Sequence, residues 1–219
     1  MPIVGSEVGD SSTDSVRRGG TQEAQQARAE ETRAALLSKA RQMFAQFGFY
    51  KTGTVALVTS AHVTSGALYH HFRDKKTLFE AVFLEVLNDL RRSAEAEARR
   101  ARPTRWELIT GAFDNYLRLV ASSPEFQRIV LIDGPVVFGW SHWRELFARH
   151  VTTDIETTVS LLMEDGLIAQ QPSWPLANLL QGALNEAALS IANSPEPHRV
   201  QAEVSQAFFS LLQGLHNRA

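Results

Sequence analysis

The chain has 219 residues, 44% of them hydrophobic, which is enough for one large or two small domains with a sizeable core. Its formal net charge is −2, which does not favour nucleic acid, and the lack of cysteine excludes disulfides and thiolate metal sites. No apolar run approaches the roughly 20 residues of a membrane helix, and no hydrophobic signal segment opens the chain. We therefore expect a soluble, cytoplasmic protein without membrane contacts.

Residues 1–21 form the first predicted segment. They are rich in Gly, Ser, Asp and Thr and offer little to bury. Such a composition favours a disordered leader.

A three-helix unit is predicted next. The first helix carries apolar residues at helical spacing and ends at Gly48, a typical C-terminal residue; these residues are Leu37, Ala40, Phe44 and Phe47. The hydroxyls around Gly53 can cap a two-turn helix over residues 55–60. Residues 61–63 then form a turn.

The segment 63–72, with the sequence VTSGALYHHF, is predicted as the third helix. Val63, Leu68 and Phe72 are the apolar points that hold it to a core. The residues left outside are small or form hydrogen bonds; they are Thr64, Ser65, Ala67, Tyr69 and His70. Because the major groove exposes donors, acceptors and thymine methyl groups, this face indicates a DNA recognition helix.

From about residue 32 to residue 84 the chain resembles the N-terminal domain of the TetR family of transcriptional regulators without a gap. The resemblance is carried by the run GFYKT at 48–52, by 63–72, and by Lys75 with Leu78-Phe79. It implies an all-α fold of about nine helices, with a helix-turn-helix domain over 22–80 and a ligand-binding and dimerisation domain over 81–219. Two positions depart from the family pattern. His62 stands where glycine is usual, and histidine tolerates positive φ; Ser65 stands where lysine is frequent, which removes one phosphate contact per subunit.

The resemblance also implies the DNA contacts. Base edges would meet Thr64, Ser65, Ala67 and His70, and phosphates would meet Thr52, Tyr69 and Lys75. A core position is the alternative for Tyr69, and we expect His71 to pack or to face Asp74. Arg17 and Arg18 in the leader could follow the DNA backbone or minor groove, with a solvated leader as the alternative.

The charge distribution supports DNA binding at the N-terminal end. Residues 21–80 hold eight Lys and Arg against five acids, a balance of +3, whereas residues 81–219 hold twelve against sixteen, a balance of −4. Lys51, Lys75 and Lys76 flank the predicted recognition helix, where they can reach phosphates. A solvated helix start is the alternative for the lysine pair.

Asp74 is predicted to cap a long helix that runs toward Pro103 and joins the two domains. Thr104 and Glu107 form a capping box for a helix over 106–121. A short helix is predicted from Ser123 to about residues 133–135, followed by a long amphipathic segment over 140–165.

The last two predicted helices, 174–192 and 200–215, carry more apolar residues than one helix face can bury. Two copies of the pair would form a four-helix homodimer interface, which the resemblance also implies; a purely internal core is the alternative. One recognition helix contacts only a few base pairs. A dimer places two of them about 34–36 Å apart, one turn of DNA, on a near-palindromic site.

The resemblance implies a ligand cavity in the C-terminal domain. Aromatic side chains could line it for a flat or apolar molecule, with Arg144 or Asn185 as polar contacts; they are Phe83, Phe113, Tyr116, Trp140, Trp143 and Phe147. Packing in the core is the alternative for each aromatic residue.

We expect a homodimeric transcriptional regulator, a repressor that a small hydrophobic ligand releases from operator DNA. The chain has no phosphate-binding glycine loop, nucleophile elbow or zinc signature, so no catalytic residue, cofactor or metal site is predicted. His150 and Asp154 lie one turn apart, but two ligands do not make a metal site. The alternatives are a DNA-binding regulator without an effector and a helical enzyme that retains a relic DNA-binding domain.

Overall fold

Helix α1, Ser12–Phe47, opens the part of the chain that the computed structural model describes, residues 12–101 and 104–216. Residues 1–21 were predicted as a disordered leader, but residues 12–21 already belong to α1, so the prediction is wrong for them. Ala, Gln, Glu and Arg dominate residues 21–31, and these helix formers let α1 extend toward the N-terminus. Residues 1–11 and the side chains of Arg17 and Arg18 lie outside the description. At the other end Gly48, with φ 79°, terminates α1 as predicted.

Helices α2, Thr54–Ser60, and α3, Ser65–His71, pack against α1. The turn between them contains His62 at φ 56°, so the histidine adopts the predicted positive φ. The shared core is formed by Leu36, Leu37, Ala40, Phe44, Leu57, Leu68 and Phe72. Phe47 is partly exposed and does not belong to this core, which corrects its prediction as a core residue.

Helix α4, Lys75–Ala101, joins the two halves of the molecule. As predicted, Asp74 caps it: Oδ1 accepts a hydrogen bond of 2.7 Å from the Thr77 N–H. The first turns of α4 place Phe79 edge-on against Phe44 of α1, with ring centroids 5.1 Å apart. Residue 80, the predicted domain boundary, lies inside this continuous helix.

Helix α5, Arg105–Ser122, begins with the predicted capping box between Thr104 and Glu107. Helix α6, Pro124–Phe126, continues through a π-helical stretch, Gln127–Asp133, into α7, Gly134–Phe138. The predicted end near residues 133–135 is therefore wrong. Pro135 lies in the first turn of α7, a position that proline commonly occupies.

Helix α8, Trp140–Phe147, likewise continues through a π-helical stretch, Ala148–Thr152, into α9, Thr153–Glu164. Helices α10, Ser173–Ala192, and α11, Pro197–Leu215, complete the described chain. When contiguous stretches are joined, the described residues form nine continuous helices, so the all-α fold is confirmed.

Helix α5 is the central element of the C-terminal half and contacts α4, α9, α10 and α11. Its N-terminal turn packs against the end of α11, where the centroids of the Trp106 and His216 rings lie 4.4 Å apart. Among the described helices, none is both long and apolar enough to cross a membrane.

Candidate nucleic-acid interface and ligand cavity

The outward face of α3 combines small and hydrogen-bonding side chains. Ser65 and His70 are exposed, and Ala67 is half-buried. Tyr69 is 55% exposed, so its alternative assignment to the core is wrong. The His70 ring lies edge-on to His71, with centroids 5.2 Å apart, while Leu68 is fully buried beneath this face. The predicted surface is therefore present on a helix that is anchored from below.

Thr64 caps the N-terminus of α3. Its Oγ1 accepts a hydrogen bond of 3.1 Å from the Ala67 N–H, and its backbone is extended. The residue remains exposed, so the hydroxyl can still donate to a partner in solvent. The cap fixes the point at which the outward face begins.

Thr52 does not lie on the surface, although it was predicted to contact a phosphate. Its side chain is 0% exposed. Its hydroxyl donates to the Gly48 carbonyl at 2.8 Å and approaches the Met43 carbonyl at 3.3 Å. The predicted phosphate contact is therefore wrong for this side chain, because Oγ1 is occupied inside the protein.

Lys75 also has a different role from the predicted phosphate contact. Its Nζ donates to the carbonyls of Phe49, at 2.9 Å, and Thr52, at 3.0 Å. The ammonium lies 4.2 Å from the centroid of the Phe49 ring, and burial lowers its pKa. Lys75 ties the start of α4 to the loop after α1, whereas its neighbour Lys76 and Lys51 are exposed.

An interdomain contact joins the loop after α1 to the π-helical stretch before α7. The buried Asp133 accepts hydrogen bonds from the Phe49 N–H, at 2.7 Å, and from Arg128 Nε, at 3.3 Å. The Arg128 guanidinium lies so close to Gly48 that a Cβ there would meet Nη2 at 2.1 Å. The positive φ of Gly48 favours glycine, and a larger residue would also displace the Arg128 guanidinium.

A second interdomain contact centres on Arg41 of α1. Its guanidinium binds Glu125 with two hydrogen bonds, of 2.7 and 2.8 Å, and Asp89 of α4 at 2.6 Å. The hydrogen bonds to Glu125 raise the pKa of Arg41 more than burial lowers it. Burial alone would raise the pKa of Asp89, but Arg92 and Arg41 together hold it below its usual value.

Sequence reasoning did not identify these interdomain residues. One signal was available: Asp133 is an acid that follows an unbroken apolar run at residues 129–132. A buried carboxylate needs hydrogen-bond donors, and it therefore indicates a specific partner.

A cavity of about 690 Å³ lies between α4, α5, α9 and α10. Its volume is that of a site for a small molecule. Most of the wall is apolar, with Leu87 and Leu90 from α4 and Phe113 from α5. The helix that follows the candidate recognition helix therefore also forms one wall of the cavity.

The cavity contains two of the eight residues that were predicted to contact a ligand, Phe113 and Tyr116. Asn185 lies behind the wall and accepts a hydrogen bond of 2.9 Å from Gln181, which lines the cavity. The other five predictions need correction, since these residues do not line it; they are Phe83, Trp140, Trp143, Arg144 and Phe147.

Those five residues lie in a separate region. Phe83, Trp143 and Phe147 are buried against one another, and Trp143 Nε1 donates to the Val130 carbonyl at 2.9 Å. Trp140 stacks on Trp143 from outside, with ring centroids 5.0 Å apart, and Arg144 is exposed. An aromatic stripe at helical spacing fits a filled core as well as a cavity wall.

Two polar atoms in the cavity wall are buried without a hydrogen-bond partner, the hydroxyl of Tyr116 and Oε1 of Gln181. Burial raises the pKa of the Tyr116 phenol. Charged side chains at the cavity come from Arg91, Glu95 and Asp154. Gln181 was missed because α10 carries three amides, Asn178, Gln181 and Asn185, and the sequence does not show which of them faces the cavity.

Helices α10 and α11 each leave apolar surface exposed. On α10, Leu179 is 72% exposed and lies one turn from the exposed Gly182; on α11, Leu211 is 62% exposed and lies one turn from Ala207 and Gly214. Small residues next to leucines allow helices to approach closely. This surface coincides with the predicted dimer interface.

No metal site is formed by three or more His, Cys, Asp or Glu residues in the portion of the chain that is described. The proposed partner of Asp154, the side chain of His150, lies outside that portion.

Comparison with known proteins covers both halves of the chain. Residues 36–82 match the family model described as bacterial regulatory proteins, tetR family, and residues 106–215 match that of the tetracyclin repressor-like C-terminal domain. The Transposon Tn10 TetC protein of Escherichia coli is 25% identical over 172 residues, which cover 78% of this chain and 86% of TetC. The HTH-type transcriptional regulator UidR of Escherichia coli strain K12 is 37% identical over 60 residues, covering 27% of this chain and 31% of UidR.

A solved structure is similar over nearly the whole described chain. It is a TetR-family transcriptional regulator from Pectobacterium atrosepticum, 34% identical, with a TM-score of 0.76. The match covers 88% of this chain and 97% of the other.

Proposed function

Because this chain belongs to the TetR family of DNA-binding transcriptional regulators, we propose that it is a homodimeric repressor released from a near-palindromic operator by a small molecule. Many members of the family respond to ligands, and they are typically not enzymes. The observation that carries the proposal is the exposed face of α3, which is held by the buried Leu68 and begins at the N-cap residue Thr64.

The DNA contacts follow from this face. Ser65, Ala67 and His70 meet base edges, where hydroxyl, methyl and imidazole groups match the donors, acceptors and thymine methyls of the major groove. The hydroxyls of Thr64 and Tyr69 reach phosphates or base edges near the ends of the helix. Exposed lysines contribute the charge: Lys51 and Lys76 replace Lys75 as the phosphate contacts.

The dimer forms through α10 and α11. Their exposed leucines and small residues support a four-helix interface between two copies. Symmetry then presents two α3 helices to successive major grooves, about 34–36 Å apart.

Release depends on α4. This helix starts next to α3, contacts α1, and contributes Leu87 and Leu90 to the cavity. A ligand that prefers one position of α4 changes the separation of the two recognition helices. The resulting loss of DNA affinity equals the differential binding free energy, typically about 1–3 kcal/mol or about 5–150-fold.

The test uses the DNA immediately upstream of the protein's own coding region in a gel shift. His70→Ala and Tyr69→Ala are each expected to weaken binding by about 1–3 kcal/mol, because each removes a side chain that faces the duplex. Tyr50→Ala, which removes an exposed aromatic residue outside α3, is the matched control. Unchanged affinity and salt dependence in both α3 variants would refute the assignment of this face to DNA.

A further inference from the structure

We propose that the molecule bound in the cavity is an uncharged, largely apolar compound bearing hydroxyl groups, with Tyr116 donating a hydrogen bond to it and Gln181 accepting one. This inference rests on the proposed function in one respect, that the cavity is the effector site. It adds the chemical class of the effector, which the fold alone leaves open.

The two unpartnered polar atoms carry the inference. The side chains of Tyr116 and Gln181 are 7% and 6% exposed, and both line the cavity. Buried polar atoms normally have partners, since a buried group without a hydrogen bond costs free energy. Gln181 uses Nε2 to donate to Asn185 at 2.9 Å, which leaves Oε1 as the unsatisfied end of the amide.

The two atoms require complementary groups. Tyr116 stays protonated because burial raises its pKa, so it presents an O–H donor. Gln181 Oε1 can only accept. A hydroxyl is the smallest group that both accepts and donates, whereas an ether or ketone only accepts and a hydrocarbon does neither.

The charge at the cavity disfavours an anionic ligand. Arg91, Glu95 and Asp154 sum to −1, and Arg91 Nε is 3.3 Å from Glu95. A carboxylate or phosphate that entered the cavity would lose its hydration without gaining a matching cation. The free energy of desolvation would exceed the gain from its other contacts. The apolar majority of the wall, including Leu87, favours a hydrocarbon frame.

The experiment compares matched triplets of an alcohol, its parent hydrocarbon and the corresponding carboxylate on naphthalene, biphenyl and steroid scaffolds. Binding to the full-length protein is measured by calorimetry. The alcohol is expected to bind about tenfold more tightly than the hydrocarbon on at least one scaffold, the scale of one or two hydrogen bonds, and the carboxylate more weakly than the alcohol.

Variants locate the effect. Tyr116→Phe and Gln181→Leu are each expected to reduce the preference for the alcohol severalfold while leaving hydrocarbon binding within about twofold. Because the Tyr116 hydroxyl has no partner within the protein, Tyr116→Phe should not lower the melting temperature without ligand. Tyr50→Phe, which removes an exposed hydroxyl elsewhere, should change nothing. Leu184→Trp places a larger side chain in the cavity wall and should weaken binding of all three compounds.

The inference is overturned if no scaffold binds, if the hydrocarbon or carboxylate binds as tightly as the alcohol, or if Tyr116→Phe leaves the preference intact. Alcohol binding that is as tight in Leu184→Trp as in wild type would also overturn it, because the site would then lie elsewhere. The proposed function is tested separately by adding each compound to the gel shift. Tyr116-dependent alcohol binding without DNA release would support the inference and refute the proposed release mechanism.

Discussion

One buried hydroxyl and one buried carboxylate stabilise the loop between α1 and α2. The Thr52 hydroxyl closes this turn on the Gly48 carbonyl at 2.8 Å, and Asp133 receives the Phe49 N–H at 2.7 Å. Both groups are removed from water, so each must be satisfied within the protein. The course of the chain between α1 and α2 therefore depends on a few hydrogen bonds made by buried side chains.

Replacing Thr52 with valine keeps the shape of the side chain but removes the hydroxyl, leaving the Gly48 carbonyl without this donor. We expect the free energy of unfolding to fall by about 1–3 kcal/mol. Urea unfolding measures the change, and Thr59→Val, at an exposed position of α2, should stay within about 0.5 kcal/mol of wild type. Unchanged stability combined with lost DNA binding would instead place Thr52 at the DNA.

Helical spacing predicted most of the exposed face of α3, because Leu68 and Phe72 point to the core. It left a core position open for Tyr69, which the structure places on the surface. The same reasoning failed for Thr52, whose surroundings come from carbonyls at residues 43 and 48. A threonine at a helix start favours exposure, and only the packed structure shows that this one is enclosed.

Lys75 fixes the junction between two elements, the loop after α1 and the first turn of α4. Its ammonium binds two main-chain carbonyls and the Phe49 ring, while the exposed Lys76 lies over Phe138 at 5.9 Å. Adjacent lysines of the same helix therefore have different roles, one structural and one available to DNA.

Lys75→Met retains the apolar stem and loses the hydrogen bonds, so we expect stability to fall by about 1 kcal/mol. The salt dependence of operator binding should not change. Lys76→Met should give the opposite result, with stability retained and the slope of log K against log salt reduced by about 1. A reduced slope at unchanged stability in Lys75→Met would show that Lys75 contacts a phosphate after all.

Helix ends that are marked by neighbouring residues in the sequence could be predicted, whereas features that depend on tertiary packing could not. The capping box of Thr104 and Glu107 lies within four residues and was confirmed. The π-helical stretch that carries α6 past the predicted stop at residues 133–135 has no such local signal. The cavity could not be located from the sequence, because Trp143 and Phe113 have the same helical spacing although one fills the core and the other lines a cavity.

At the scale of the whole molecule, ionic contacts couple the DNA-binding half to the cavity half. Arg41→Met removes the cation shared by Asp89 and Glu125, and we expect a loss of about 1 kcal/mol, limited by the partial exposure of all three side chains. The pKa of Asp89 is lowered in the folded state. The Asp89 carboxylate therefore contributes fully to the free energy of unfolding above its unfolded pKa of about 3.9. This contribution is lost as the pH falls through the lower pKa of the folded state.

The stability difference between wild type and Arg41→Met should accordingly narrow below about pH 4. Chemical unfolding at a series of pH values measures it, and Lys51→Met, at an exposed position, serves as the control. A difference that stays constant or widens in acid would show that Asp89 does not contribute through its charge.

The proposed dimerisation is the second property that belongs to the whole molecule. Leu179→Arg combined with Leu211→Arg places like charges in the proposed interface, at a cost of several kcal/mol. We expect sedimentation to show a monomer and operator affinity to fall by at least about tenfold, because one α3 helix contacts only half of the site. Val136→Arg, an exposed apolar position on α7, should remain dimeric. A double variant that stays dimeric would move the interface to another surface.

Gly48 has a further consequence for hybrid proteins. The guanidinium of Arg128 occupies the space beside this glycine, and Asp133 holds both that arginine and the adjoining Phe49 amide. A chimera that fuses residues up to about 74 onto the C-terminal half of a paralogue would inherit only one side of this arrangement. Operator specificity should therefore transfer between relatives only when residues 128 and 133 are exchanged together with it.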